Sequence, residues 1–120
     1  MADSILRDKS KAFAKEIVFL CRRLRDRRVE GVLINQLLKS GTSVGANVHE
    51  AQYAQGTKDF ISKFEIALKE CNESVYWLEL LYESNSISEN EFNKMQSVCI
   101  ELRRMLVSTV TTIKSKQQTG

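Results

Sequence analysis

His49 is the first residue to consider for acid–base chemistry, because histidine is the residue type that exchanges protons near neutrality and the sequence holds one. Its helical spacing places it at the margin of an apolar face, which favours a structural role. A di-metal site in a bundle would need Glu-x-x-His pairs on two helices. Walker and GxGxxG motifs are also missing. The sequence therefore predicts a protein that is not an enzyme, with no cofactor and no metal.

Basic side chains are concentrated near the start of the chain, where residues 1–28 hold nine Lys or Arg against four Asp or Glu. Five of them fall within about 80° of one another at helical spacing, on the side away from the apolar face. These five, called the basic stripe, are Arg7, Lys11, Lys15, Arg22 and Arg25. At about 1.5 Å per residue the stripe is roughly 27 Å long, which suits contacts along a phosphate backbone. A solvated helix face is the alternative, since Val18 interrupts the stripe and Asp8 and Asp26 flank it.

A run of small residues over 40–51, SGTSVGANVHEA, contains Gly41 and Gly45. Glycine inside a helix costs about 1 kcal/mol against alanine, so a close approach of a neighbouring helix is expected to offset it. The predicted helix-packing motif consists of Gly41, Gly45, Ser43 and Asn47. A row of polar residues lies on the opposite side and is either a solvated face or a hydrogen-bonding seam against another helix or subunit. The row consists of Gln36, Ser40, Ser43, Asn47 and Glu50.

The elements that position these residues are helices, because proline is absent, glycines number five, and apolar residues recur at helical spacing in four segments. The spacing predicts helices over approximately 4–27, 30–55, 57–83 and 88–114, with a frayed tail. The last begins at the capping-box pattern Ser88 to Glu91. Short connections make successive helices antiparallel, so residues 1–120 are predicted to form one all-α domain, an up-down-up-down four-helix bundle.

Three cysteines, Cys21, Cys71 and Cys99, are odd in number and far apart in the sequence. This spacing lacks the even count of a disulfide framework and the CxxC pairs of a zinc site. We expect three buried thiols, because free cysteine behaves as a small hydrophobic residue.

The third helical segment is apolar in every direction over 75–82, where only Glu79 is charged. Its core face is expected to include Tyr82. A helix that is apolar all round is buried all round, whereas every helix of a small bundle has a solvent side. The extra face therefore predicts contact with another copy of the chain, in a homo-oligomer. Its residues are Ile66, Trp77, Leu80 and Leu81.

Residues 40–81, SGTSVGANVHEAQYAQGTKDFISKFEIALKECNESVYWLELL, resemble the signature of a bacterial four-helix-bundle family. The family is named for proteins encoded in intervening sequences of 23S rRNA genes. The resemblance implies a ring-like pentamer with no established enzymatic activity. That family is similar in turn to the accessory protein of diversity-generating retroelements, a pentameric bundle whose basic surface binds nucleic acid and a reverse transcriptase. Function does not transfer safely along such a fold-level analogy.

These observations predict a non-enzymatic homo-oligomer that binds nucleic acid, either RNA or DNA with RNA favoured, through the basic stripe. Arg103 and Arg104 are further candidates for phosphate contacts. No helix-turn-helix, zinc finger or RNP-like motif suggests base-specific readout. The alternative function is a scaffold whose surface docks a protein partner. No apolar run is long enough to span a membrane and the first residues lack a signal-peptide core, so a cytoplasmic location is expected.

Overall fold

A computed structural model describes the backbone of residues 2–119 and the side chains of residues 4–117. The four helices are α1 (Ala2–Asp26), α2 (Gly31–Ala51), α3 (Thr57–Glu83) and α4 (Glu89–Thr119). Each helix packs against the next one in the chain, and α1 also packs against α4. The result is an antiparallel up-down-up-down four-helix bundle with extents of 53 × 22 × 22 Å. The predicted fold class is therefore confirmed.

The helix ends differ from the predicted ones at three places. α2 ends at Ala51 rather than at residue 55, and the backbone N–H groups of residues 52–54 donate to carbonyl oxygens three residues back instead of four. Gly56 then turns the chain with a φ of 147° and directly precedes α3. In this turn the Gln55 backbone N–H donates to Asp59 Oδ2 at 3.2 Å. α4 runs to Thr119 instead of fraying after residue 114, and α1 already begins at Ala2. Within residues 2–119, none of the four helices combines the length and the apolar character that crossing a membrane requires.

Backbone and side-chain caps define three of the remaining helix ends. α1 and α3 are followed by residues in the left-handed region, Arg28 with a φ of 60° and Asn85 with a φ of 61°. The next backbone N–H in each case donates back into the helix, as in a Schellman cap. At the start of α4 the predicted capping box is present. The Glu91 backbone N–H donates to Ser88 Oγ at 3.1 Å, and the Ser88 backbone N–H donates to Glu91 Oε1 at 2.9 Å.

The core is built from the apolar faces of all four helices, and the predicted faces of α1 and α4 are buried. In α3 the buried face differs from the predicted one toward the C-terminal end of the helix. Ser74 and Leu81 are fully buried, whereas Tyr82 is 37% exposed and stacks on Phe92. Because this end of α3 is apolar on several sides, periodicity alone does not distinguish its buried residues from its exposed ones.

The glycine motif of α2 packs against α1, as predicted. A Cβ atom on Gly41 would lie 2.7 Å from Ile17 Cγ1, and one on Gly45 would lie 3.1 Å from the Ser10 carbonyl oxygen. Both distances are shorter than an ordinary van der Waals contact. The missing side chains therefore allow α1 and α2 to approach more closely than they could with alanine at these positions.

Candidate nucleic-acid interface

Eight basic residues in α1 and directly after it fall into two groups that the sequence did not distinguish. One group points toward α4 and is neutralised there. Lys9 forms an ion pair with Glu101, and Arg23 and Arg27 both bind Glu91, at 3.1 Å and 2.8 Å. These contacts join α1 to α4, so these three cations serve packing within the bundle.

The Glu91 carboxylate is the centre of this junction. Hydrogen bonding to Arg27 is the largest influence and, with Ser88 and Arg23, lowers the pKa of Glu91 to about 2 although partial burial opposes the shift. Arg27 also donates to the Ser86 carbonyl oxygen at 3.0 Å, which ties the end of α1 to the connection between α3 and α4.

The second group is the basic stripe, and it remains available. Within the described residues, none of its five members forms an ion pair with a carboxylate. Four of the side chains are exposed, while Arg7 is half-buried and its Nη1 donates to Gln52 Oε1 at 2.6 Å. Over eighteen residues of helix the charges extend roughly 27 Å along one side of the bundle.

The gap in the stripe is partly bridged by an aromatic residue. Val18 is half-buried, but the neighbouring Phe19 is 41% exposed. The Arg22 guanidinium carbon lies 5.9 Å from the centre of the Phe19 ring, within the range of a cation–π contact. This contact holds Arg22 against the helix surface while its N–H groups stay exposed.

The stripe borders a groove between α1 and α2. Small residues, including Ala14, Gly45 and Ala46, line this groove of about 560 Å³. Its walls carry Arg7 and Lys11 from α1 and, beyond the small residues of α2, the rings of His49 and Tyr53. The groove is a consequence of the glycine motif, because larger side chains on α2 would fill it.

The structure places His49 on the surface and not at the margin of the core. Its side chain is exposed, and its ring lies 5.5 Å from the ring of Tyr53, with the two planes at 59°. Tyr53 itself is 74% exposed. The sequence analysis does not single out Tyr53. Its position four residues after His49, about one helical turn, is the feature of the sequence that could have placed the two rings together.

The other predicted basic residues lie elsewhere on the bundle. Arg103 on α4 reaches toward α3, where its Nη1 is 3.4 Å from Asn72 Oδ1. Arg104 is exposed beside Ile100 on α4. The basic stripe lies on the side of α1 that borders α2, whereas these two arginines lie on α4. The stripe and the two arginines therefore do not form one basic surface within a single chain.

The polar row of α2 is divided between core and surface. Ser40 is buried, and the Ser74 hydroxyl of α3 donates to its oxygen at 2.9 Å. At Ser40 the row is therefore a hydrogen-bonding seam against another helix. Ser43 and Asn47 are half-buried and bond to backbone carbonyl oxygens of α2 itself. On α3, which faces this row, the pKa of Glu70 is raised. Burial is the larger cause, and the neighbouring carboxylate of Glu73 is the second.

The proposed oligomer face on α3 needs one correction. Leu81 is fully buried inside the bundle, so it cannot belong to an outer face. Ile66 is 40% exposed, and Trp77 and Leu80 are half-buried. The Trp77 indole N–H is buried without a hydrogen-bond partner within the described residues, and its ring meets the exposed ring of Tyr76 edge-on at 4.9 Å.

The three cysteines are free and buried, as expected. Burial raises the pKa of the Cys21 thiol to about 11 and that of Cys71 to about 12, and it also raises the pKa of Cys99. Thiols held in the protonated form in a core are poor nucleophiles. Among the described residues, no group of three or more His, Cys, Asp or Glu side chains is arranged to hold a metal ion.

Comparison with known proteins places this chain in a family. The family model described as "23S rRNA-intervening sequence protein" matches residues 2–108. A crystal structure of a protein with unknown function from the S23 ribosomal protein family of Bacteroides thetaiotaomicron VPI-5482 is 42% identical and has a TM-score of 0.90, covering 92% of this chain and 99% of that one. The curated proteins include no match. The chain therefore belongs to the 23S rRNA-intervening sequence protein family.

Proposed function

We propose that this protein is a non-enzymatic homo-oligomer that binds nucleic acid through the basic stripe of α1. The observation that carries the proposal is the division of the cations in α1 and directly after it into two groups. Lys9, Arg23 and Arg27 are neutralised by carboxylates of α4, whereas the five stripe residues have no carboxylate partner within the described residues. A row of cations along one helix is suited to contacts with the phosphates of one backbone, and each neutralised phosphate releases counterions.

RNA is the first nucleic acid to test, because the description of the family contains 23S rRNA. The stripe supplies charge and length but no element that reads base edges in a duplex groove. Binding through it is therefore expected to depend weakly on sequence and strongly on salt.

Assembly would multiply the effect of one stripe. The remaining residues of the oligomer face, Ile66, Trp77 and Leu80, form an apolar area on α3, and the resemblance described above implies a pentamer. Several stripes held in one assembly raise the local potential and allow one strand to contact more than one subunit. We include the homopentamer in the proposal on these grounds.

A second candidate function is a scaffold that docks a protein partner. The observation in its favour is a pair of exposed apolar side chains on α4, Ile100 at 45% and Val107 at 43%, seven residues apart on one face. Arg104 lies between them. An acidic and partly apolar segment of a partner would complement this surface, which is separate from the basic stripe.

The test is the affinity of the oligomer for labelled RNA, followed by fluorescence anisotropy at low salt. Arg22→Glu combined with Arg25→Glu is expected to weaken binding of every sequence at least tenfold, since two attractive contacts become repulsive. Lys58→Glu combined with Lys69→Glu is the matched control, because it changes the net charge equally on exposed residues of α3. The control variant should retain most of the affinity.

Two results would contradict the proposal. One is wild-type protein that fails to bind RNA or DNA at low salt. The other is a stripe variant that binds as tightly as the α3 control variant. In either case the scaffold function becomes the better account, and Ile100→Asp would then be expected to abolish the docking of a protein partner.

A further inference from the structure

The groove between α1 and α2 has features of its own that the basic stripe does not explain. It is about 560 Å³ in volume, within the range of about 300–1,000 Å³ that is typical of ligand pockets. Its lining residues Ala14, Gly45 and Ala46 carry almost no side chain, which leaves flat space between the two helices. A planar group could lie against such a surface.

An aromatic platform stands at the α2 side of this groove. Tyr53 follows the end of α2 and is 74% exposed, which is a large exposed fraction for a tyrosine ring that also lines a cavity. His49 supports it from the preceding turn at a ring separation of 5.5 Å. Exposed aromatic rings beside cationic grooves are the surfaces on which unpaired bases stack.

Charge on the opposite wall complements a nucleotide. Arg7 and Lys11 line the groove and are also the first two residues of the basic stripe, so groove and stripe are continuous. The hydrogen bond from Arg7 Nη1 to Gln52 Oε1, 2.6 Å long, holds the guanidinium at the groove edge and leaves its other N–H groups free to bind a phosphate. Asp8 is the one carboxylate among the lining residues, so the two cations still leave a net positive charge.

We propose that this groove binds one unpaired nucleotide, with its base against the Tyr53 ring and its phosphate at Lys11 and Arg7. The inference rests on the proposed function, since the rest of the strand would continue along the basic stripe. It goes further, because it predicts a preference for single strands. In a duplex both faces of each base are covered by neighbouring pairs, so duplex RNA can use the stripe but not the platform.

The experiment compares a labelled oligouridine strand, the matching oligothymidine strand and an RNA duplex of the same length. Tyr53→Ala is expected to lower the affinity for both single strands by roughly five- to a hundredfold, the usual effect of removing one stacking ring. Its affinity for the duplex should change by less than about twofold, since the phosphate contacts remain. Tyr53→Phe keeps the ring and should bind like the wild type. Because Tyr53 is exposed, the melting temperature should be unchanged in both variants.

A second measurement locates the base directly. A strand carrying bromouridine is cross-linked to the wild-type protein by light, and the modified peptide is identified by mass spectrometry. The expected product contains Tyr53 or its neighbour His49. Equal losses of single-strand and duplex affinity in Tyr53→Ala, or none, would overturn the groove site while leaving the stripe intact. Wild-type protein that binds neither strand nor duplex would overturn both proposals.

Discussion

The close contact between Gly41 and Ile17 allows a prediction whose sign depends on one neighbouring side chain. Alanine in a helix interior is favoured over glycine by about 1 kcal/mol, so Gly41→Ala would stabilise α2 in open space. In the bundle its Cβ would lie 2.7 Å from Cγ1 and 2.9 Å from Cγ2 of Ile17. Both atoms are attached to the branched Cβ of a fully buried isoleucine, which has one strongly preferred rotamer in a helix. α1 and α2 must therefore move apart.

Overfilling a packed core costs about 1–3 kcal/mol, and a rigid neighbour places the cost at the upper end. After the gain in helix propensity is subtracted, Gly41→Ala should lower the free energy of unfolding by about 1–2 kcal/mol. For a chain of this size the melting temperature should fall by about 3–10 °C. Gly31→Ala is the matched control in the same helix, because nothing lies within 4 Å of the added Cβ. It should be neutral or slightly stabilising.

The decisive step repeats the substitution in an Ile17→Ala background, which removes the three atoms nearest to the new Cβ. Ile17→Ala alone should cost about 2–5 kcal/mol because it leaves a cavity. In that background Gly41→Ala should become stabilising. Unfolding followed by circular dichroism at one protein concentration measures all four proteins, since the stability of an oligomer depends on concentration. A stabilising effect of Gly41→Ala in the wild-type background would refute the close-packing explanation.

Three further results are expected. Because hydrogen bonds from Arg27, Ser88 and Arg23 lower the pKa of Glu91 from 4.5 to about 2, the carboxylate stabilises the fold above pH 4.5 and loses this effect as the pH falls toward 2. Glu91→Gln should thus cost about 1 kcal/mol in urea unfolding at pH 7 and little near pH 2, and an equal cost at both pH values would argue against this role. Cys71 and the other thiols should react with iodoacetamide only after denaturation, because burial keeps them protonated; rapid labelling of the native protein would exclude the buried state. Ile66→Asp should reduce the mass measured by light scattering by placing a charge in an apolar contact, and an unchanged mass would rule out this face.

The fold could be predicted from the sequence because α1 and α4 each carry a single apolar face at helical spacing. The glycine motif could also be predicted, since two helix-breaking residues at a spacing of four have few explanations other than close packing. The outer face of α3 could not be predicted in full. Apolar residues surround the end of this helix, so the pattern predicts Leu81 on the outer face although Leu81 is buried.

The candidate site could be predicted only in part. The basic stripe follows from helical geometry, but the sequence could not distinguish Arg27, which is neutralised, from Arg25, which is not. Glu91 lies 64 residues from Arg27, and such long-range pairs depend on how α1 meets α4. The groove also depends on two helices, because its cations belong to α1 and Tyr53 follows α2. Neither segment shows this site by itself.

The salt dependence of RNA binding tests the central claim most directly. The association constant K of the wild-type protein for a single-stranded RNA is measured over a series of salt concentrations, and log K is plotted against log salt. Each contacted phosphate contributes about −0.7 to the slope, so Arg22→Glu with Arg25→Glu should make the slope shallower by at least about 1.4. A slope that is unchanged in this variant, or a wild-type affinity that does not depend on salt, would contradict a phosphate-binding stripe on α1.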